Sequence, residues 1–156
     1  MTKTLRIYDL RDGRVLGLDL RDLIDRLAPR SLEARWIVSP VTLSNPRLGR
    51  SHDEFMIVGS AQLSENALEQ LAVSKSVVNG ITLSEAAHAT NQVIWGQFVG
   101  MLPEQKEDAW VVVRAIDSTF YEVTSADEAV PAIIQSAYKD VRTATGPVTS
   151  IPIEQV

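Results

Sequence analysis

Cysteine is absent from the 156 residues, and histidine occurs only at His52 and His88. The first absence excludes disulfide scaffolds, thiol nucleophiles and thiolate-held zinc or iron–sulfur sites. The second leaves little material for general-base chemistry. The eight glycines are scattered at positions 13, 17, 49, 59, 80, 96, 100 and 146, so no glycine-rich strand-to-helix turn cradles a phosphate. A Gly-x-Ser-x-Gly nucleophile elbow is also missing. No apolar run approaches the roughly 20 residues that span a bilayer. Met1 to Arg6 lacks the apolar core of a secretory signal, so a cytoplasmic protein without membrane contact is expected.

What is present is an ordinary globular composition: 45% hydrophobic and 22% charged residues, enough for one domain with a real core. Fifteen basic against twenty acidic groups give −5 at pH 7, which disfavours nucleic acid as a partner. The charge is uneven. Residues 1–35 carry +2, 36–60 are neutral, and 61–108 and 109–156 carry −4 and −3. An acidic surplus in the last two thirds points to steering of a basic protein partner or to a solubilising surface.

Thr4 to Leu18 reads as two short strands about Asp12-Gly13. Asp19 then caps a helix whose buried stripe is Leu20, Leu23, Ile24 and Leu27, ended by Pro29. Strands are expected over 33–41 and 54–59, with a polar loop over 45–53 between them. Ser64 is expected to cap a helix with Ala67, Leu68, Leu71 and Ala72 inward and Leu63 as a staple. Thr82 with Glu85, and Ser125 with Glu128, read as capping boxes of two further helices, the second running to about Asp140 with Ile133, Ile134, Ala137, Tyr138 and Val141 inward and Pro131 in its first turns. The strongest strands are Val93–Val99 and one long strand over Ala109–Val123, forming a central hairpin through the polar segment 103–108. The expected fold is α+β: a single domain over 1–142, a mostly antiparallel sheet of hairpins with three or four helices packed on it, followed by a loosely ordered tail over 143–156.

No constellation has the form of a known catalytic or metal site. Glu85 and His88 stand three apart on one helical face, but a carboxylate-bridged metal centre needs the motif twice. His52-Asp53-Glu54 does not converge in an extended chain. No catalytic residue, metal site or cofactor is therefore assigned. The polar interruption of the long strand at Arg114, Asp117, Ser118 and Thr119 is the feature to explain, since charge within a sheet is costly unless paired. Alternation puts Trp110, Arg114, Ser118 and Glu122 on one face with Val112, Ile116 and Phe120. Either Arg114 and Asp117 are held by hydrogen bonds as structure, or they mark a recognition surface with Trp95, Trp110 and Ser118. Trp36 is open to the same two readings, core or interface.

Gln-Val-Ile-Trp-Gly-Gln-Phe-Val-Gly from Gln92, the Trp110–Glu128 stretch, Tyr138-Lys-Asp-Val-Arg142, and the openings Leu5–Leu10 and Leu18–Leu23 resemble a broad group of small uncharacterised bacterial cytosolic proteins. Some of that group are similar to immunity proteins, which bind and neutralise a toxin. The resemblance covers about half the chain and assigns no residue a role. It implies a non-enzymatic protein-binding module, an immunity-type inhibitor. The alternatives are a small enzyme with a site near Glu85, His88, Arg114 and Asp117, and a structural homo-oligomer.

Overall fold

The computed structural model describes residues 2–11, 13, 15–45, 50–60, 67–104 and 108–144. Alternation in β1 (Lys3–Ile7) sends Leu5 and Ile7 inward at 1% and 0% exposure. Two short strands, β2 (Leu10–Arg11) and β3 (Val15–Leu16), pair with each other, with Gly13 between them at φ 67°. The opening is thus three strands rather than two, and Asp12 lies outside the described residues. Asp19 caps α1 (Leu20–Arg26), and its own N–H donates to Asp22 Oδ2 at 2.7 Å, closing a capping box. The stripe Leu20, Leu23, Ile24 and Leu27 is buried throughout, at 3% exposure or less. Pro29 separates α1 from the single turn α2 (Arg30–Glu33), which leads into β4 (Arg35–Ser39).

The expected loop over 45–53 is corrected by a hairpin. β5 (Val41–Asn45) pairs with β6 (Arg50–Glu54), and residues 46–49 between them lie outside the described set. Among the described residues β6 pairs with β5 alone, in a separate two-stranded sheet, so β6 needs none of the apolar alternation that marks a strand in the main sheet. β7 (Met56–Ser60) follows. In α3 (Ala67–Ser74), Leu68 and Ala72 are buried while Ala67 is exposed. The expected cap Ser64 and staple Leu63 lie outside the described residues.

After β8 (Val78–Asn79), α4 (Gly80–His88) starts earlier than Thr82. Asn79 is its cap, accepting the Thr82 N–H at 2.8 Å, so Thr82 lies inside the helix instead of capping it. A Cβ at Gly80 would run into the backbone of Ser31 and Leu32, which explains glycine where α4 crosses α2. The centre of the sheet is β9 (Thr90–Met101), β10 (Val111–Ile116) and β11 (Phe120–Ser125). The single long strand expected over 109–123 is therefore two strands. Asp117 and Ser118 turn the chain with φ 50° and 58°, the left-handed pair of a tight hairpin turn.

The second expected capping box is also corrected. The Ser125 hydroxyl donates to Trp110 O at 2.5 Å, and Asp127 Oδ1 instead accepts the first amide of α5 (Ala129–Ala137), that of Ala129, at 3.0 Å. Pro131 is the third residue of α5, where no helical acceptor awaits an N–H. Ile134 is buried as expected, together with Val130 and Pro131, whereas Ile133 is 36% exposed. β12 (Val141–Ala144) pairs with β1, so the sheet takes in Thr143 and Ala144, and the rest of the expected tail lies outside the described residues.

Apart from the β2–β3 and β5–β6 pairs, the described strands form one antiparallel sheet in the order β12-β1-β11-β10-β9-β4-β8, with β7 pairing β9 off this path. β4 pairs with β9 down to Gln97, and β7 takes up the pairing from Trp95 to Thr90, with the β5–β6 hairpin between them in sequence. Where β7 steps from Met56 to Ile57, β9 steps from Trp95 to Val93, so Ile94 is an extra residue, a β-bulge. One face carries the helices. Leu5, Ile7, Trp36, Val38, Phe98, Val113, Tyr121 and Val123 pack there with α1, α3, α4 and α5 in one cluster. Among the described residues, no helix is long and apolar enough to cross a membrane.

Candidate functional site

The face of the sheet opposite the helices carries the concentration of polar chemistry. Register sets Arg142, Arg6, Glu122, Arg114, Gln97 and Ser39 side by side across β12, β1, β11, β10, β9 and β4. Hydrogen bonds run along this row. Arg6 Nε donates to Glu122 Oε2 at 3.1 Å and Arg114 Nη1 to Glu122 Oε1 at 3.3 Å. Arg114 Nε donates to Gln97 Oε1 at 2.8 Å, and Gln97 Nε2 to Ser39 Oγ at 3.3 Å.

Glu122 is 1% exposed, and each of its carboxylate oxygens accepts from a guanidinium. Burial raises its carboxyl above the ordinary value, while the Arg114 and Arg6 charges oppose the shift. Burial likewise lowers the Arg114 guanidinium, against the pull of Glu122. Each partner is pushed toward neutrality by desolvation and held in the charged state by the other.

Two largely apolar rows flank the polar one. On one side lie Thr4, Thr124, Val112, Val99 and Ile37, again in direct cross-strand register. On the other a second apolar cluster gathers Val41, Trp95, Ile116 and Phe120, with Tyr8 and Ile94 against it and no helix residue in it. The bulge at Ile94 explains how Val93 joins the helix-side core while Trp95, two residues on, joins this cluster. The Ser118 N–H donates to the Ile94 carbonyl at 3.3 Å and Gln92 Nε2 to Ser118 Oγ at 3.3 Å, docking the hairpin tip on the bulge.

The residues singled out from the sequence separate accordingly. Trp95 and Arg114 share the helix-free face, and Asp117 and Ser118 sit at the tip of its central hairpin. Trp110 does not belong with them. It is 3% exposed in the helix-side core, meets Trp36 edge-on at 6.3 Å, and donates from Nε1 to Asp127 Oδ2 at 3.0 Å. It precedes β10, so strand alternation does not govern its direction. Trp36 is core as well, at 1% exposure, with Nε1 donating to Ser31 O at 2.8 Å.

Glu85 and His88 lie in the helical layer, across the sheet from Arg114. His88 Nε2 stands 3.1 Å from Asp25 Oδ1 on the surface, and Glu85 lines a groove between α3 and α4. The structure does not gather Glu85, His88, Arg114 and Asp117 into one site. Among the described residues, no group of three or more histidines and carboxylates is placed to hold a metal ion. The His52 side chain lies outside the described residues.

Sequence reasoning missed Arg6, Gln97 and Arg142. The alternation Thr4, Arg6, Tyr8 in the first strand was the available signal for one of them. Comparison with protein-family models, with curated proteins and with solved structures finds no match to this chain.

Proposed function

We propose that this protein is a non-enzymatic protein-binding module of the cytoplasm, an immunity-type inhibitor that meets a toxin with the helix-free face of its sheet. The observation that carries the reading is the three-row surface itself. Half-buried Val112, Val99 and Ile37 lie beside a row of guanidiniums whose geometry is fixed by hydrogen bonds. Mixed apolar and arginine surfaces with little side-chain freedom are what protein interfaces use for their central contacts. Both Glu122 oxygens are engaged by arginines, so the row offers recognition groups rather than a poised base.

The test is co-expression with the product of the neighbouring reading frame, read by gel filtration and by survival of the host cells. The wild-type chain is expected to co-elute with that product and to protect the cells. Val112→Glu, with an unchanged circular dichroism spectrum, is expected to lose both properties. Absence of a complex with the wild-type chain, or a complex indifferent to Val112→Glu, overturns the proposal. So does a homodimer that Val112→Glu dissociates, since the face would then belong to a second copy of the chain.

A further inference from the structure

Like charges directly opposite on neighbouring strands are unfavourable, yet Arg6 on β1 stands opposite Arg142 on β12. Each is fixed from one side. The Arg142 guanidinium lies 4.0 Å from the Tyr8 ring centroid and is chelated by Asp140 at 3.0 and 3.1 Å. The Arg6 guanidinium lies 5.2 Å from the Phe120 centroid and spends its Nε on Glu122. Tyr8 and Phe120 touch each other, with centroids 4.9 Å apart, so the two rings link the two arginines into one unit. The side-chain entropy of both arginines is thereby lost on folding rather than on binding.

Their outer edges remain available. The Arg6 and Arg142 side chains are 33% and 61% exposed, and among the described residues the terminal Nη1 and Nη2 groups of Arg6 have no hydrogen-bond partner. In the chain as a whole acid is in excess, but among the described residues the three guanidiniums of the polar row, Arg6, Arg114 and Arg142, are paired with two carboxylates, the sealed Glu122 and the Asp140 that chelates Arg142, which leaves one positive charge in excess. The net charge of the chain pointed to a basic partner; the charge of this face points the other way. Planar guanidinium forks match carboxylates in particular, and the Thr124–Val112–Val99 row alongside suits apolar side chains.

We infer that the partner docks through an acidic segment, a carboxylate of which takes Arg6 and Arg142 while neighbouring apolar side chains lie on the Thr124–Val112–Val99 row. This rests on the helix-free face being the interface. The probes are a short peptide alternating Glu and Val, its Lys and Val counterpart, sodium phosphate, and a thymidine oligonucleotide. Each is titrated into the 15N-labelled full chain while the arginine Nε–H signals are followed.

The acidic peptide is expected to shift the Arg6 and Arg142 signals saturably, and the lysine peptide to leave them in place. Arg142→Gln and Arg6→Gln are each expected to weaken the acidic peptide roughly 10- to 100-fold, the loss of one charge-assisted contact. Arg142 is exposed, so its variant keeps the test alive if Arg6→Gln fails to fold. Unmoved signals, or the same shifts from the lysine peptide, from phosphate or from the oligonucleotide, overturn the inference. Charge reversal separates the two levels of argument. If Val112→Glu abolishes the complex with the co-expressed partner but Arg142→Glu tightens it, the face is the interface and the acidic contact is refuted. If Val112→Glu leaves that complex intact, the interface reading fails first.

Discussion

Arg114→Met removes the guanidinium from the middle of the polar row and keeps most of the stem volume. Gln97 Oε1 then loses a donor at 2.8 Å and Glu122 Oε1 one at 3.3 Å, while Glu122 Oε2 keeps Arg6 at 3.1 Å. A hydrogen bond to a charged group contributes about 1.5 to 3 kcal/mol, and stranding a buried carboxylate costs more. Against this, the variant no longer desolvates Arg114, whose side chain is 12% exposed. With Arg6 still neutralising Glu122, the balance is a loss of about 2 to 3 kcal/mol, or roughly 4 to 10 °C in melting temperature for a chain of this size.

Glu122→Met removes the other half of the contact. With both gone no buried charge is stranded, so the double variant should be less destabilised than the sum of the singles by about 1 to 2 kcal/mol. Urea unfolding followed by tryptophan fluorescence and circular dichroism measures all four corners of the cycle, with equal m values as the check on two-state behaviour. Additivity within about 0.5 kcal/mol, or an unshifted Arg114→Met, would show that the row is not an energetic unit.

The Glu122 carboxyl is raised in the folded state, so the folded chain binds more protons than the unfolded one between the two values. Stability should therefore fall as pH climbs from about 4.5 through the raised value, and Glu122→Gln should flatten that part of the profile in urea titrations at stepped pH. Tyr121 is fully buried and donates to Asp19 Oδ1 at 2.6 Å, an oxygen that also accepts Leu20 N at 2.9 Å and Val93 N at 3.2 Å. Tyr121→Phe should cost about 1 to 3 kcal/mol in the same assay, and no change would deny the Asp19 hub a role in stability. Burial foremost, then Asp19, raises the Tyr121 phenol well above 10, so in the folded wild-type chain its ionisation by ultraviolet absorbance should begin only beyond the ordinary tyrosine range. Ser118 has φ 58° without being glycine, so Ser118→Gly should stabilise the hairpin by about 0.5 to 1 kcal/mol; a lower melting temperature would mean that its bond from Gln92 outweighs the backbone strain.

The amino-acid sequence by itself determined what depends on neighbours along the chain. Asp19 before the stripe Leu20, Leu23, Ile24 and Leu27 specifies α1 and its cap, and the β-branched and aromatic runs specify extended chain over Val93–Val99 and Ala109–Val123 but not the turn that divides the second run, because capping and periodicity act within a few residues. The α+β class follows from the order of those elements. Tertiary structure decided the rest. The bulge at Ile94 switches which residues of β9 face the helices, and the left-handed turn at Asp117 and Ser118 forms without the glycine that announces such turns. Trp110 goes to the core because Asp127 and Trp36 receive it there. Above all, the row of Arg142, Arg6, Glu122, Arg114, Gln97 and Ser39 exists only in the register of six strands. Arg6 and Glu122 are 116 positions apart, and a shift of one residue in any pairing would turn its side chains to the opposite face.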